Sequence, residues 1–264
     1  MSEIISQLDN HVGTMIINRP EKRNALSQSL LIDIHMTLKK WEERGEVWTV
    51  IIKGAGDRAF SSGYDIGSIP TSIPPEIQES LKNSNALELA LNSIKQYPYP
   101  VIAMMNGYAF GAGLNLAVCC DIRIAVDTIK IGMPPAKLGL VYHPEGLKQF
   151  IDVLGISKTK EIFFTARTYT SMQAKEMGIV DYLIPEKDLS DFTYAMAGDI
   201  TSNAPLSICG TKKIINMLTH SSFQLTARDS IKAERLIVDA FNSNDLKEGQ
   251  MAFLQKRKPC FIGG

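Results

Sequence analysis

The segment GAGLNLAVCCD, residues 111–121, constrains the fold more than any other part of the sequence. Two glycines flank Ala112, and the apolar run that follows contains a single uncharged polar residue, Asn115, before Asp121. A turn of this kind brings backbone N–H groups to the start of a helix, where they can bind an anionic oxygen. The segment therefore predicts a turn, a buried helix and an anion-binding position close to a neutral amide.

Strand and helix patterns alternate through about residue 185. The runs GTMIINRP, WTVIIKGAG and PVIAMMNGYAFGAG are typical of strands, DIRIAVDTIKIGM gives two further extended pieces, and Ser27 has the position of a helix N-cap. This alternation predicts an α/β layered core. Three helical patterns then follow one another, broken at Pro205 and near His220. We expect a core of residues 1–190 and a C-terminal helical region of residues 191–264.

Composition excludes several classes of function. The chain of 264 residues carries 28 Lys and Arg against 28 Asp and Glu, so no overall charge favours nucleic acid. Its apolar runs are too short to span a membrane, and its N-terminus lacks the pattern of a signal peptide. The four cysteines form no C-x-x-C pair and are predicted to be buried free thiols, which is typical of a reducing compartment. We therefore expect a cytoplasmic protein.

Three motifs, taken in order, resemble those of the crotonase, or enoyl-CoA hydratase/isomerase, superfamily. They are NRPEKRNALS (18–27), AFSSGYDI (59–66) and NGYAFGAGLNLAVCCDIRIA (106–125), and the closing EGQMAFLQKRKP (248–259) resembles the last helix of that family. The resemblance implies a crotonase-type spiral of ββα turns, an acyl-CoA thioester substrate and assembly as a homotrimer or dimer of trimers. It implies neither a metal nor a separate cofactor, because coenzyme A is part of the substrate.

The resemblance also implies an oxyanion hole for the thioester oxygen. Its two donors would be the backbone amides of Tyr64 and Ala112, the second following Gly111. The family usually has glycine where Ala112 stands, but the added methyl group leaves the N–H in place. Two N–H groups aimed at that oxygen would stabilise an enolate without any proton transfer.

Basic and backbone groups are implied for the coenzyme. Lys22 and Arg23 precede the first helix and could bind phosphate, and Lys256 in the last helix is a second candidate. By family analogy, the backbone of Ala25, Asp65 and Ile66 would bracket the adenine.

Two acids that hydratases of this family use are missing. Their positions correspond here to Asn115 and Pro135, and neither side chain can activate water or deliver a proton at neutral pH. Efficient hydration is therefore not expected, and the standard isomerase, which uses an acid at the second position, is disfavoured as well. His143 could titrate near neutrality and leaves proton shuttling open.

Decarboxylation fits an oxyanion hole without a strong base, because loss of CO2 creates the enolate directly. Tyr142 stands where members that decarboxylate methylmalonyl-CoA carry a tyrosine, and His143 or Lys137 could assist the carboxylate. The chain departs from that subgroup in two places, with Tyr64 where a histidine is usual and Asn115 where an acid is usual. Two alternatives stay open: a hydratase or isomerase reaction using His143 or Glu145, and an acyl-CoA-binding protein without catalysis.

Overall fold

The computed structural model describes residues 2–65, 86–138, 140–220 and 242–263, together with residues 228, 231, 232, 235, 236, 238 and 239. The strands are β1 (Ile4–Asp9), β2 (Val12–Ile17), β3 (Thr49–Gly54), β4 (Ala59–Ser61), β5 (Val101–Met105), β6 (Tyr108–Phe110), β7 (Ile122–Val126), β8 (Lys130–Gly132), β9 (Thr168–Thr170) and β10 (Tyr182–Ile184). The α-helices are α1 (Gln28–Arg44), α2 (Ala86–Gln96), α3 (Ala112–Cys119), α4 (Pro144–Thr165), α5 (Ser171–Glu176), α6 (Glu186–Thr201), α7 (Pro205–His220) and α8 (Asn244–Leu254). Short 3-10 turns cover Pro20–Lys22 and Pro135–Leu138.

Two sheets share the strands between them. One has the order β1-β2-β3-β5-β7-β10 and the other the order β4-β6-β8-β9. The pairs β3/β4, β5/β6 and β7/β8 each send their first strand to the larger sheet and their second to the smaller one. A helix follows the β5/β6 pair directly, and α3 packs against β4 and β6 of the smaller sheet. The chain is therefore a mixed α/β spiral of ββα turns, as predicted.

Burial explains which runs became central strands. The larger sheet is parallel from β2 onward, and every residue of β5 is buried. Parallel strands covered on both faces need near-continuous apolar sequence, which the β3 and β5 runs supply. The Ser27 hydroxyl accepts a hydrogen bond from the Leu30 amide at 3.1 Å, which confirms the predicted N-cap of α1.

The structure corrects three sequence predictions. Strand β1 was missed because five of its six residues are exposed. Although it pairs antiparallel with β2, its residues do not alternate between buried and exposed, which is the pattern that predicts a strand. The run PVIAMMNGYAFGAG forms two strands in different sheets, because Asn106 leaves β5 and hydrogen-bonds the backbone of Gly54. Cys260 is exposed in the tail after α8, whereas the other three cysteines are buried free thiols.

The predicted break at Pro205 is confirmed, but the third helical pattern is not continuous, because a turn at residues 242–243 precedes α8 at Asn244. Helix α7 starts at Pro205, and α6 packs against strands β3, β5 and β7 of the larger sheet. Because α6 spans residues 186–201, the predicted boundary between core and C-terminal region at residue 190 falls inside a helix that packs on the larger sheet. The two-part description stays a prediction.

Candidate active site

Two turns with left-handed glycines meet at one end of the smaller sheet. Gly63 has φ +100° and Gly111 has φ +51°, which residues with a side chain rarely adopt. A Cβ on Gly63 would lie 2.8 Å from the Phe110 carbonyl oxygen and 3.4 Å from the Ala112 nitrogen. The SSGYD turn and the start of α3 are therefore in direct backbone contact.

The amides of Tyr64 and Ala112 are unused donors in these turns. Neighbouring amides are occupied: Gly63 donates to the Ser61 hydroxyl at 3.2 Å, and Gly111 donates to the Gly132 carbonyl at 3.0 Å. Within the part of the chain that the structure describes, the N–H groups of Tyr64 and Ala112 donate no hydrogen bond. Ala112 is the first residue of α3, where an amide has no partner inside the helix. The two donors match the requirements of an oxyanion hole.

Both donors border a cavity of about 200 Å³. Among the described residues, no aspartate, glutamate, lysine or arginine lines it, and its titratable side chains are Tyr64, Tyr142 and His143. The rest of the lining is mostly apolar and includes Leu87, Pro135 and Val141. The sequence prediction thus has Tyr64, Gly111, Ala112, Pro135, Tyr142 and His143 around one space, which is otherwise apolar.

A chain of three neutral polar groups runs from this cavity into the core. The Tyr142 hydroxyl donates to Asn115 Oδ1 at 2.8 Å, and Asn115 Nδ2 donates to Gln149 Oε1 at 2.6 Å. Asn115 is fully buried and Gln149 nearly so, while Cys119 Sγ accepts a longer contact from Nδ2 at 3.7 Å. Asn115 therefore acts here as the partner of Tyr142. Sequence reasoning missed Gln149, although its position three residues after Gly146 and just before Phe150 indicated a buried helix face.

The Tyr142 ring is fixed by close packing. A Cβ on Gly146 would lie 2.4 Å from Tyr142 Cε1, so the ring rests directly on the backbone of α4. On another side the Phe163 ring lies 5.3 Å away, measured between centroids. Burial raises the pKa of the Tyr142 hydroxyl well above its usual value, because the anionic phenolate would lose its hydration. The hydroxyl is thus a neutral hydrogen-bonding group and no base.

A second, smaller cavity of about 60 Å³ lies behind Tyr142 and His143, both of which line the two cavities. Glu88, Glu145, Asn115 and Gln149 contribute to its walls. His143 Nδ1 lies in direct contact with Glu145 Oε2, and both side chains are more than half exposed. This pair borders the cavity of about 200 Å³ through His143, which lines both cavities.

The loop expected to hold coenzyme A is organised by a residue that the sequence analysis missed. The buried Arg19 guanidinium donates to the Ala25 carbonyl at 2.7 Å and pairs with Asp65 at 3.2 Å. Lys22 Nζ lies 3.7 Å from the same Asp65 carboxylate, and its side chain is exposed. Arg23 is exposed and has φ +55°. The Asp65 charge is therefore balanced, and the Lys22 ammonium reaches solvent beside it.

Other expected residues lie apart from the cavity. Lys137 is exposed on the turn Pro135–Leu138 and does not line the cavity. Lys256 is exposed in the turn after α8, with φ +54°, and not within the helix. Its neighbour Arg257 pairs with Glu248 at 2.5 Å, and this bond, with one from the Cys260 amide, lowers the pKa of Glu248 to about 2. Ile66 lies outside the described residues.

The described residues contain neither a membrane-spanning helix nor a metal-binding cluster. No helix there has the length and apolar character needed to cross a membrane. No group of three or more His, Cys, Asp or Glu side chains in the same residues could hold a metal ion.

Comparison with known proteins gives a consistent picture. Residues 7–264 match a family model described as Enoyl-CoA hydratase/isomerase. The chain is 33% identical over 251 residues to a probable mitochondrial enoyl-CoA hydratase of Dictyostelium discoideum, covering 95% of this chain and 87% of that protein. It is 30% identical over 256 residues to the methylmalonyl-CoA decarboxylase of Escherichia coli, covering 96% and 95%.

Solved structures agree with the sequence comparisons. The crystal structure of an enoyl-CoA hydratase from Bacillus anthracis is similar with a TM-score of 0.89 and 27% identity, covering 100% of both chains. An enoyl-CoA hydratase/carnithine racemase structure from Magnetospirillum magneticum has a TM-score of 0.92 and 27% identity, covering 100% of this chain and 97% of that one. The spiral of ββα turns is therefore the fold of these proteins.

Proposed function

The chain belongs to the enoyl-CoA hydratase/isomerase family and is an acyl-CoA-processing enzyme of the crotonase superfamily, and we propose that it decarboxylates methylmalonyl-CoA or a related malonyl-type thioester. The observation that carries this proposal is the neutral Tyr142–Asn115 pair beside the two unused amides. The similarity to the Escherichia coli decarboxylase supports the same reaction.

The first step concerns the thioester oxygen. Loss of CO2 leaves the electrons of the broken C–C bond on the α-carbon, and the enolate places negative charge on that oxygen. The N–H groups of Tyr64 and Ala112 would donate to it, and each such donor contributes about 3 kcal/mol to transition-state stabilisation. Both are backbone groups already held in place by buried turns, so little reorganisation accompanies the reaction.

The second step concerns the absence of a base. The Asn115 amide neither takes up nor releases a proton at neutral pH, the Pro135 side chain is apolar, and burial keeps the Tyr142 hydroxyl protonated. Reactions that begin by removing a proton from carbon are therefore poorly served by these groups. Decarboxylation needs no such removal, and one proton delivered from solvent water to the α-carbon of the enolate completes it.

The third step concerns the carboxylate itself. The cavity of about 200 Å³ has largely apolar walls, and its described lining contains no lysine or arginine. A carboxylate that enters it would lose its hydration without gaining a cation as partner. Desolvation of that charge favours its departure as neutral CO2. Tyr142 would hold the carboxylate in orientation by a hydrogen bond, and His143 lies at the cavity wall as its titratable neighbour. Lys137 would assist only from outside the cavity lining.

The test is a paired turnover assay read by mass spectrometry. Purified protein is incubated with methylmalonyl-CoA in one reaction and with crotonyl-CoA in another. We expect propionyl-CoA in the first and no hydrated product in the second. Hydration of crotonyl-CoA without decarboxylation would contradict the proposal.

A second candidate function rests on the contact between His143 and Glu145. The pair lies next to the cavity and could move a proton, which would permit a hydratase or isomerase reaction with a non-standard acid and base. Glu145→Gln separates the candidates, because it would abolish turnover of crotonyl-CoA while leaving decarboxylation in place.

Binding without catalysis is the third possibility, and two unused oxyanion donors argue against it. Titration calorimetry with butyryl-CoA, combined with turnover assays, would identify it as binding without product. The homotrimer or dimer of trimers is likewise proposed from the family and is tested by light scattering. The cytoplasmic location stays a prediction.

A further inference from the structure

We propose that Gln149 is a positioning residue that, acting through the Asn115 amide, decides whether the Tyr142 hydroxyl presents a proton or a lone pair to the acyl cavity. The inference rests on the proposed function, because this choice has its largest effect on an acyl group that carries a carboxylate. It involves hydrogen bonds alone and no covalent step.

The geometry leaves each group of the chain with a defined partner. Asn115 Oδ1 accepts from Tyr142 at 2.8 Å, and Asn115 Nδ2 donates to Gln149 Oε1 at 2.6 Å. Gln149 is 5% exposed and lines the 60 Å³ cavity, and its Nε2 donates no hydrogen bond to the described residues. One amide donor is therefore left over at the inner end of the chain.

In this orientation the hydroxyl proton is already used. A phenol has one proton, and here Asn115 Oδ1 accepts it. Tyr142 then meets the acyl cavity with oxygen lone pairs only. Lone pairs repel a carboxylate, so this orientation suits an empty cavity or a neutral acyl group.

The same heavy atoms support the opposite direction. If both amides rotate by half a turn, Gln149 Nε2 donates to Asn115 Oδ1, and Asn115 Nδ2 donates to the Tyr142 oxygen. The hydroxyl proton is then free to donate to a substrate carboxylate. Cys119 follows either direction, because its thiol can accept from Nδ2 or donate to Oδ1.

Neutral amides at both positions make this reversal possible. A carboxylate at position 115 or 149 can only accept, so it would hold the chain in one direction. Two amides of similar hydrogen-bonding capacity give two states of similar energy, and a carboxylated ligand selects the one that donates to it. The neutral amide inside the glycine-turn helix thus has a role that an acid could not fill.

Several titratable or charged groups surround the Gln149 side chain. From the described elements they are Glu88 of α2, Cys119 of α3, Tyr142, His143 and Glu145, and Lys95 of α2 acts electrostatically on Cys119. Their presence matters for the pH dependence of any acid placed at position 149.

The test uses Gln149→Glu and its pH profile. At pH 8 the introduced carboxylate accepts only, which commits the Tyr142 proton to Asn115, and we expect methylmalonyl-CoA turnover to fall ~10- to 100-fold. Burial raises the pKa of the introduced acid above the ~4.3 of a free glutamate. As pH falls toward that value the acid gains a proton to donate, and activity should recover relative to the wild-type enzyme.

Two control variants separate direction from packing. Gln149→Met keeps the volume without hydrogen bonds, so its loss of activity should not depend on pH. Gln96→Glu places the same change on an exposed residue at the end of α2 and should keep the wild-type profile. Equal dissociation constants for butyryl-CoA in all variants would show that the coenzyme site is intact.

The outcomes also separate this inference from the proposed function. Wild-type turnover at pH 8 in Gln149→Glu, or a loss with the flat pH profile of Gln149→Met, would overturn the inference alone. If the wild-type enzyme decarboxylates nothing, the proposed function fails. The inference is then tested by the affinities for succinyl-CoA and butyryl-CoA. Succinyl-CoA should lose ~10-fold in affinity relative to butyryl-CoA in Gln149→Glu, and an unchanged ratio would overturn it.

Discussion

The two walls of the 200 Å³ cavity differ in the groups that they present, backbone amides on one side and side chains on the other. On one side, the proposed oxyanion donors of Tyr64 and Ala112 are backbone groups, held by left-handed glycines and a helix start. On the other side, the groups are side chains, with Tyr142, Asn115 and Gln149 joined by hydrogen bonds. The backbone wall tolerates alanine at position 112, since the methyl group leaves the N–H free.

This difference indicates which positions of the proposed site can change its chemistry. Any change of side chain at 64 or 112 leaves the amide in place unless proline is introduced. A change at 115 or 135, by contrast, removes or adds a proton carrier. In the proposed mechanism, the site would therefore keep enolate stabilisation while its reaction changes from one that needs a base to one that does not.

The largest effect is expected on the backbone wall, from Ala112→Pro. Proline is tolerated at the first position of a helix, but it lacks the N–H and places its ring where the thioester oxygen would bind. We expect kcat for methylmalonyl-CoA to fall about 100- to 1000-fold, the usual cost of one oxyanion donor. Ala112→Gly is the matched control, retains the N–H and should keep activity within about twofold. A proline variant with wild-type kcat would remove Ala112 from the mechanism.

On the side-chain wall we expect a smaller loss from Tyr142→Phe. The variant keeps the ring between Gly146 and Phe163 and loses one hydrogen bond to the carboxylate. A hydrogen bond to a charged group contributes about 1.5–3 kcal/mol, which corresponds to a roughly 10- to 150-fold loss of kcat/KM. Steady-state kinetics measures it, with calorimetry on butyryl-CoA as the check of folding. An unchanged kcat/KM would show that the carboxylate is held elsewhere.

A loss of stability is expected from Gly146→Ala, because the added methyl group would collide with Tyr142 of the side-chain wall. The added methyl would lie 2.4 Å from Tyr142 Cε1 and 3.1 Å from Asn115 Oδ1, so the ring must move. Overpacking of this kind costs about 1–3 kcal/mol in the free energy of unfolding. Chemical denaturation measures it. Gly198→Ala is the control in α6, because a Cβ added there would meet no neighbouring atom within 4 Å, and the change should be neutral or stabilising. Equal effects on stability at both positions would contradict the packing described.

The smallest expected effect is an absence of change with pH. Tyr142 works as a neutral phenol, and burial raises its pKa, so the working form extends to higher pH than for a free tyrosine. Turnover should therefore show no loss from this group up to about pH 10. If turnover by the wild-type enzyme fell as pH rose and did so before that pH was reached, and Tyr142→Phe showed no such fall, the phenol would titrate in its ordinary range.

The backbone wall was readable from the sequence, and the side-chain wall only in part. Glycines 63 and 111 mark their turns because few other residues adopt their φ angles, and motif order brought the turns together. Tyr142 and Asn115 were predicted as site residues, and this stays a prediction, but their mutual hydrogen bond was not foreseen. Gln149 and Arg19 were missed because a polar residue on a helix or strand end gives no signal of burial until its partner across the fold is known.

The most direct test of enolate formation without a base is turnover of methylmalonyl-CoA in deuterated water, with mass spectrometry of the propionyl-CoA. We predict a single deuterium at the α-carbon of each product molecule. Propionyl-CoA incubated alone with the enzyme should keep its α-hydrogens, because no group in the site removes them. Exchange of those α-hydrogens, at a rate comparable with turnover, would contradict this mechanism and show that the site contains a working base.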